Sequence, residues 1–157
     1  MQKRIMVDMS ATIIHHGHIR LLKKAKELGT VVVALTTDAE IETKKGYKPE
    51  LSYENRKEIM ESITYVDEVV PCNWLIEEDF LNKHRIDLLV HGDDNSNILP
   101  PERLIIFPRT EGVSSSDLRE RVLDSLISLN LKNKNPMASD KLATLLIETI
   151  KKEFKMD

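Results

Sequence analysis

Residues 4–36 read RIMVDMSATIIHHGHIRLLKKAKELGTVVVALT and decide the fold. The apolar run at residues 5–7 and the β-branched run Thr30–Thr36 each predict a strand buried on both faces. Between them, apolar residues recur with helical spacing from about Gly17 and stop at Gly29, the residue type that helix C-termini favour. A buried strand, a helix and a second buried strand predict a right-handed crossover between two parallel strands.

The same alternation continues along the chain. Three more short apolar runs predict strands, and they lie at residues 66–70, 86–91 and 104–107. Helical patterns separate them and begin at Ser52, near Ile76 and near Ser114. Residues 38–52 are polar and rich in lysine, which predicts a loop. The sequence therefore predicts an α/β fold: a Rossmann-like open parallel sheet of about five strands, with helices on both faces.

The C-terminal residues depart from this pattern. Residues 130–141 are polar and contain Pro136, which predicts a linker. Ser139 or Asp140 is a favourable helix N-cap, and the apolar spacing that follows predicts a final amphipathic helix. We therefore expect one domain over residues 1–129 and a C-terminal helical extension, with its linker, over residues 130–157.

Composition excludes several classes of protein. The 157 residues carry 23 Lys and Arg against 26 Asp and Glu, and the net charge of −3 gives no electrostatic footprint for duplex nucleic acid. No apolar run approaches the roughly 18 residues that a membrane span needs, and the first residues lack the apolar segment of a signal peptide. Cys72 is the single cysteine, which fits a reducing compartment. We expect a cytoplasmic protein that neither binds nucleic acid nor inserts into a membrane.

Chemically unusual residues follow the predicted strands, where ligands bind in parallel sheets. His15, His16 and His18 surround Gly17 at the start of the first helix. The cluster lacks the companions and the spacing of a zinc site, and a metal-binding cluster and a plain surface cluster stand as alternatives. Gly17 allows a phosphate to approach the backbone, and the helix N-terminus offers N–H groups to an anion. Neither Gly-x-Gly-x-x-Gly nor a P-loop pattern occurs, which disfavours an ordinary dinucleotide site.

Five segments carry a resemblance to a known family. His15-His16-Gly17-His18 resembles the His-x-Gly-His signature of the nucleotidyltransferase superfamily. Residues 109–116, RTEGVSSS, resemble the Arg-Thr-x-Gly-Ile-Ser-Thr-Ser signature of its cytidylyltransferase branch. The other three segments resemble family segments in the same order; they are residues 54–56 (ENR), 65–70 (YVDEVV) and 91–94 (HGDD). The resemblance covers about residues 3–123 and makes residues 1–129 a nucleotidyltransferase domain.

The resemblance implies transfer of CMP from CTP to a small phosphorylated or phosphonylated acceptor, with release of pyrophosphate. Glycerol 3-phosphate is the leading acceptor, followed by a phosphonate such as 2-aminoethylphosphonate or by phosphoethanolamine. Mg²⁺ is the implied cofactor, CTP the co-substrate, and a homodimer the expected assembly. The product would be a CDP-alcohol or a CMP-phosphonate.

The resemblance also implies a role for each matching residue. The catalytic set is His15, His18, Lys45, Lys48 and Arg109. The residues expected to bind CTP are Ser10, Ala11, Gly17, His91, Gly92, Asp94, Arg109, Thr110, Gly112, Val113, Ser114, Ser115 and Ser116. The residues expected to bind the acceptor are Lys48, Arg56 and Trp74, and no protein side chain is assigned to a metal. On the helix that follows, we expect Arg121 to add a phosphate contact and Arg119 to be solvated.

Two positions depart from the family pattern. Thr12 stands where most relatives have an aspartate before the histidine signature, and Thr64 replaces a common arginine. Two alternatives to this function stay open, and the two losses motivate the second of them. One is an adenylyltransferase of the same superfamily, which the full RTEGVSSS match disfavours. The other is a CTP-binding regulatory protein without turnover, and such a protein would release no pyrophosphate with any acceptor.

Overall fold

Alternating strands and helices build this chain. In the computed structural model the described residues are 2–132, 144 and 146–149. The strands are β1 (Arg4–Met9), β2 (Thr30–Thr36), β3 (Glu68–Cys72), β4 (Leu88–Gly92) and β5 (Leu104–Phe107). The helices are α1 (His16–Leu28), α2 (Asp38–Lys45), α3 (Tyr53–Glu61), α4 (Glu78–Lys83) and α5 (Ser115–Lys132), with a short 3₁₀ helix at Pro101–Arg103. None of these helices is long and apolar enough to cross a bilayer.

The five strands form one parallel sheet in the order β3-β2-β1-β4-β5. β1 lies at the centre, where Val7 is level with Val33 of β2 on one side and Val90 of β4 on the other. All three valines are fully buried, as parallel strands covered on both faces require. The strand order reverses between β1 and β4, and a crevice opens at such a point. The predicted Rossmann-like fold is confirmed.

Apolar side chains form one buried layer on each face of the sheet. On one face, Leu22 of α1 and Met60 of α3 pack with the inward residues of β1 and β2. On the other face, Leu81 of α4 packs with residues such as Met6 and Val32. The sheet is therefore held rigidly between helices, so the positions of the loops after each strand are well defined.

The prediction of a loop over residues 38–52 is wrong for residues 38–45, which form α2. Its first turn carries acidic residues and its last turn carries lysines, so both ends complement the helix dipole. Ile41 is its one buried residue, which gives too short an apolar pattern to detect in the sequence. Gly46, with φ 78°, closes the helix with a hydrogen bond from its N–H to the Glu42 carbonyl. Lys45 consequently projects from the last turn of a helix.

Other boundaries shift by a few residues. The strand predicted at residues 66–70 is β3, which runs from Glu68 to Cys72 and includes Pro71; β3 is an edge strand, where proline is tolerated. α5 continues to Lys132 and includes the first residues of the predicted linker. Within the predicted C-terminal helix, residues 144 and 146–149 are helical. The remainder of the linker and of that helix lies outside the described residues.

Candidate active site

A cleft of about 1090 Å³ opens at the carboxyl ends of β1 and β4, at the reversal of strand order. The structure brings most of the predicted site residues to its surface. They are Ser10, Ala11, His15, Gly17, His18, Lys45, Trp74, His91, Gly92, Asp94, Arg109, Thr110, Val113, Ser114, Ser115 and Ser116. Three predicted residues, Lys48, Arg56 and Gly112, do not line it.

The two histidines of the signature cap the start of α1. His15 Nδ1 accepts a hydrogen bond from the Gly17 N–H at 3.1 Å, and His18 Nδ1 accepts one from the His15 N–H at 3.2 Å. Because both Nδ1 atoms accept, each neutral ring carries its hydrogen on Nε2. The rings lie against each other, with centroids 3.9 Å apart. Local backbone geometry thus leaves two Nε2–H groups to donate to a ligand in the cleft.

Both imidazoles are held neutral. Burial lowers the pKa of His18 to about 3, and neighbouring His15 adds to the effect. Burial also lowers the pKa of His15, helped by the charges of His16 and Arg109. The two rings therefore act as hydrogen-bond donors rather than as cations at neutral pH.

Gly17 is required by the packing of these rings. A Cβ at this position would lie 2.9 Å from the His15 ring and 3.5 Å from Val113. Any side chain would therefore displace the His15 ring from its capping position. The glycine of the signature is explained by this close approach as well as by access for an anion.

A second helix begins at the same cleft. Ser114 Oγ accepts from the Asp117 N–H at 3.0 Å and so caps α5. Ser115 Oγ donates to the Ile13 carbonyl at 3.1 Å, which ties the start of α5 to the loop before α1. Two helix N-termini therefore face one cavity, and each favours an anion. We call the surface formed by His15, Gly17, His18, Ser114 and Ser115 the helix-start wall.

Arg109 and Asp94 lie beside this wall. Arg109 Nη1 is 3.2 Å from Asp94 Oδ2, and both side chains are about half exposed. Asp94 Oδ1 is in turn 3.7 Å from His91 Nδ1. Arg109 is thus a positive group at the cleft surface and is paired with one exposed carboxylate. A phosphate group can replace that carboxylate as the partner of the guanidinium.

The two predicted lysines differ in position. Lys45 lines the cleft with its Nζ 5.5 Å from the centre of the Trp74 ring. Burial lowers its pKa, and the charge of Arg119 lowers it further. Lys48 is exposed and lies outside the cleft. The structure therefore separates two residues that the sequence could not rank.

The structure does not bring Arg56 to the cleft. Its side chain is fully buried. Its guanidinium donates to the carbonyls of Ser10 at 2.6 Å and Thr36 at 2.9 Å, and to Asp38 Oδ1 at 2.6 Å. A further bond reaches the Leu51 carbonyl. Arg56 thereby fixes the chain leaving β1 and β2, and acts on the site from beneath it.

Arg119 was expected to be solvated, yet it lines the cleft. It pairs with both carboxylate oxygens of Glu50, and its Nη2 also donates to Thr12 Oγ1 at 2.8 Å. Its guanidinium lies 4.7 Å from the centre of the Tyr47 ring. We call Thr12, Tyr47, Glu50 and Arg119 the Arg119 cluster. Helical spacing was an available signal, since Arg119 is one turn after Ser115 and shares its face.

Arg121 and Thr64 lie outside the cleft, whereas Thr12 lines it. Arg121 is exposed and donates to the Gly112 carbonyl at 2.8 Å, in the turn before α5, rather than lining the cleft. Thr12 is buried, and its hydroxyl accepts from Arg119. Thr64 is exposed and does not line the cleft. Of the two residues that depart from the family pattern, Thr12 therefore lies inside the site and Thr64 outside it.

Two further polar residues of the cleft, Asp8 and Asn97, carried no signal in the sequence. Asp8 is buried at the end of β1, and Asn97 donates to it from the loop after β4. An aspartate inside an apolar strand and an asparagine in a polar loop are each common. Only the hydrogen bond between them, which joins residues 89 positions apart in the sequence, shows that they belong to the site.

The fold and the cleft together define an α/β protein in which two helix N-termini face a cleft at the carboxyl ends of parallel strands. Residues 10–121 match the cytidylyltransferase-like family, to which the chain belongs. The chain is 40% identical over 126 residues to the glycerol-3-phosphate cytidylyltransferase of Bacillus subtilis, covering 76% of this chain and 97% of that protein. It is 33% identical over 132 residues to the ethanolamine-phosphate cytidylyltransferase of Mus musculus, covering 76% of this chain and 32% of that protein.

A solved structure gives the same fold. The lipopolysaccharide core biosynthesis protein of Thermoplasma volcanium superposes with a TM-score of 0.59 over 69% of this chain and 98% of that chain. The two sequences are 18% identical, so the likeness bears on the fold alone. The predicted membership of the cytidylyltransferase family is confirmed by the family match and by the relatives together.

Proposed function

We propose that this chain transfers CMP from CTP to a small phosphorylated alcohol and releases pyrophosphate, with glycerol 3-phosphate as the leading acceptor. The observation that carries the proposal is the helix-start wall, where two neutral imidazole donors and two helix N-termini meet in one cleft. Relatives named glycerol-3-phosphate cytidylyltransferase, at 37% and 40% identity over nearly their whole length, support this acceptor.

The reaction makes one bond and breaks one. An oxygen of the acceptor's phosphate attacks the α-phosphorus of CTP, a new O–P bond forms, and the bond from the α-phosphorus to the bridging oxygen breaks. That oxygen leaves with its electron pair as part of pyrophosphate. Negative charge accumulates on the reacting phosphoryl group, so catalysis consists of positioning and of charge stabilisation.

The residues of the cleft fit these needs. His15 and His18 would donate from Nε2 to the phosphoryl oxygens, as neutral groups already oriented by the backbone. Ser114 and Ser115, at the start of α5, would hold the β- and γ-phosphates together with Arg109. Lys45 would add a positive charge beside Trp74. Hydrogen bonds hold His15, His18, Ser114 and Ser115 in place before substrate arrives, which reduces the reorganisation that the reaction needs.

We also propose Mg²⁺ as the cofactor. Within the part of the chain that the structure describes, no group of three or more His, Cys, Asp or Glu side chains is arranged to hold a metal ion. This donor set fits a cation that arrives with the triphosphate, since Mg²⁺ in such sites keeps waters and uses few carboxylates. Asp94, exposed at the cleft beside Arg109, would supply one such carboxylate. When bound, the ion would neutralise phosphate charge.

One assay tests the proposal. Pyrophosphate release is measured with CTP and with ATP against glycerol 3-phosphate, phosphoethanolamine and 2-aminoethylphosphonate, with and without Mg²⁺. We expect release with CTP, fastest with glycerol 3-phosphate, and second with one of the two nitrogen-containing acceptors. Release with ATP alone would make the protein an adenylyltransferase. Binding of CTP by calorimetry without release from any acceptor would make it a nucleotide-binding regulatory protein.

The assembly and the compartment complete the proposal. We propose a homodimer working in the cytoplasm, where CTP and phosphorylated alcohols are available and a lone thiol such as Cys72 stays reduced. Analytical ultracentrifugation decides the assembly. A mass near twice 18.0 kDa supports the dimer, and a mass near 18.0 kDa contradicts it.

A further inference from the structure

A buried amide side chain joins three segments at the edge of the cleft and has no role in the function proposed above. Asn97 is 7% exposed and lies in the loop after β4. Its Oδ1 accepts a hydrogen bond from the Ile76 N–H at 2.7 Å, in the segment that follows β3. Its Nδ2 donates to Asp8 Oδ2 of β1 and to Asn95 Oδ1, each at 3.0 Å. The central strand, the chain after β3 and the chain after β4 therefore meet at one side chain.

The three partners of Asn97 together require an amide. The Ile76 N–H can only donate and needs an oxygen, whereas the oxygens of Asp8 and Asn95 need hydrogens. Asparagine carries one carbonyl oxygen and two N–H groups at the end of a short side chain, so it serves all three. A carboxylate at position 97 would offer two oxygens and no hydrogen. The Ile76 N–H is buried, so loss of its acceptor costs free energy.

The loop after β4 is also held by main-chain groups, which do not depend on the Asn97 side chain. The Asn97 N–H donates to Asn95 Oδ1 at 3.1 Å, and Asn95 Nδ2 donates to the Asn97 carbonyl at 3.0 Å. The Asn95 N–H donates to the Gly92 carbonyl at 3.2 Å. Outside this loop the Asn97 side chain reaches Asp8 and Ile76, and removal of the side chain would break those two bonds while the loop keeps its main-chain contacts.

The chain after β3 carries Trp74, which lines the cleft. We call residues 73–76 the Trp74 segment. The Trp74 N–H donates to Glu40 Oε2 of α2 at 2.8 Å, and the centre of its ring is 5.5 Å from Lys45 Nζ. Two residues later, the Ile76 N–H is held by Asn97. The Trp74 segment is thus attached to α2 at one point and to Asn97 at another.

The loop that contains Asn97 also reaches the opposite side of the cleft. Asp94 of this loop is 3.2 Å from Arg109 Nη1. Asn97 therefore connects the side of the cleft that carries Arg109 with the side that carries Trp74, and its bond to β1 fixes both to the central strand of the sheet. A transfer between two substrates needs the reacting groups at a defined separation, and a displacement of about 1 Å can reduce the rate by about 10²-fold.

We propose that Asn97 is a positioning residue that fixes the Trp74 segment, and with it the acceptor side of the cleft, at a set distance from the nucleotide side. The inference rests on the proposed function, in which Arg109 and the helix-start wall hold CTP and Trp74 contacts the acceptor. Without the Asn97 side chain, CTP keeps its own binding groups. The acceptor is then held by a segment that has lost its attachment to β1, so productive alignment with CTP becomes less frequent.

Steady-state kinetics of the full chain with CTP and glycerol 3-phosphate test the proposal. The variant is Asn97→Ala, and the matched control is Asn73→Ala, because Asn73 adjoins Trp74 but is exposed and does not line the cleft. We expect kcat/KM for the acceptor to fall by about 30-fold in Asn97→Ala while the KM for CTP stays within about twofold. Asn73→Ala should stay within about twofold of the wild type in every constant. An unchanged kcat/KM for the acceptor, or equal increases in both KM values, would overturn the proposal.

A second measurement needs no turnover and separates this inference from the proposed function. Trp74 is the single tryptophan of the chain, so quenching of its fluorescence by acrylamide reports on the Trp74 segment alone. We expect quenching to increase by about twofold in Asn97→Ala and to be unchanged in Asn73→Ala. Exchange of the Ile76 amide hydrogen should be at least about tenfold faster in Asn97→Ala. If either quantity keeps its wild-type value, the positioning role is contradicted, even in a protein that turns over no substrate.

An exchange of the two partners tests the bond to β1 itself, and it carries the test if Asn97→Ala does not fold. Asn97→Asp keeps an oxygen for the Ile76 N–H but places a carboxylate against that of Asp8. In the double variant Asp8→Asn with Asn97→Asp, donor and acceptor exchange places and the bond is restored. We expect quenching of Trp74 to rise in Asn97→Asp and to return toward the wild-type value in the double variant. A double variant that is quenched as strongly as Asn97→Asp would contradict the proposal.

Discussion

The helix-start wall and the Arg119 cluster face the same cleft but are built in different ways. Each half of the wall is built by local contacts: backbone N–H groups orient His15 and His18 at the start of α1, and Ser114 caps α5. The Arg119 cluster joins α5 to Thr12, 107 residues away, and to Glu50, 69 residues away. The first uses local geometry to aim neutral donors, and the second uses a partly buried ion pair to hold three distant segments together. We expect the wall to govern the chemical step and the cluster to govern the placement of the acceptor.

The largest effect is expected at the wall, from His18→Ala. Loss of one oriented donor at the reacting phosphoryl group should reduce kcat by about 10²–10³-fold. His15→Ala should cost at least about tenfold as well, since it removes both a donor and the cap of α1. Steady-state kinetics with circular dichroism as the folding control measure this. Near-normal rates in folded variants would remove the histidines from the catalytic set.

Arg56→Met tests the buried arginine whose hydrogen bonds hold the chain after β1 and β2, below the helix-start wall and the Arg119 cluster. The substitution leaves three carbonyl oxygens and Asp38 without their donor, and Asp38 is partly exposed. The free energy of unfolding should fall by about 2–3 kcal/mol in urea titration. A variant with wild-type stability and a raised KM for the acceptor alone would instead restore the predicted substrate-binding role of Arg56.

The next largest effect is a loss of kcat/KM expected at Lys45 and not at Lys48. Lys45→Ala removes a positive charge from the cleft and should reduce kcat/KM by about 30-fold, less than the loss of a donor at the reacting centre. Lys48→Ala, at an exposed position outside the cleft, is the matched variant and should change kcat/KM by less than about threefold. Equal losses would show that the loop after α2 closes over the substrates.

Arg119→Gln addresses the cluster directly, with Arg121→Gln on the same helix as its control. Breaking the pair with Glu50 frees residues 46–51 from α5, so the KM for the acceptor should rise by about tenfold while the KM for CTP stays within about twofold. The Arg121 side chain donates to the Gly112 carbonyl and does not line the cleft, so Arg121→Gln should have little effect. Equal changes in both KM values would contradict the expectation that the Arg119 cluster governs the placement of the acceptor alone.

The smallest effect concerns pH. With a pKa of about 3, His18 is neutral throughout the usual assay range, because its lowered pKa keeps it uncharged at any higher pH. Its ring resonances should therefore not move between about pH 5 and 8 in an NMR titration. A midpoint near 6.5 would mean that the donor at the wall is a cation rather than a neutral imidazole.

The sequence predicts the wall far better than the cluster, for physical reasons. Strands such as Thr30–Thr36 and Leu104–Phe107 are short, largely apolar runs, and their bounds match the prediction. The caps at His15 and Ser114 depend on spacings of two or three residues, which a sequence displays. α2 was missed because one buried residue, Ile41, is too little pattern for a helix. Arg119 and Arg56 were misplaced because burial of a long cation depends on acceptors elsewhere in the chain.

Thr12 is another residue whose role depends on a distant partner and could not be predicted from the sequence. Against the family pattern it is a lost aspartate, which suggested reduced activity. In the structure its hydroxyl accepts from Arg119, whose charge is already matched by Glu50. An aspartate at this position would add a second carboxylate to one guanidinium. The departure is therefore consistent with the charge of the cluster and gives no support for loss of turnover.

The central claim is transfer of CMP to a phosphorylated alcohol, and phosphorus NMR of one reaction tests it most directly. Purified protein is mixed with CTP, Mg²⁺ and glycerol 3-phosphate, and the same mixture without acceptor serves as control. We expect resonances of a CDP-alcohol and of pyrophosphate to appear together in equal amounts, and neither to appear without the acceptor. Unchanged CTP with acceptor present, or its consumption at the same rate without acceptor, would contradict the claim.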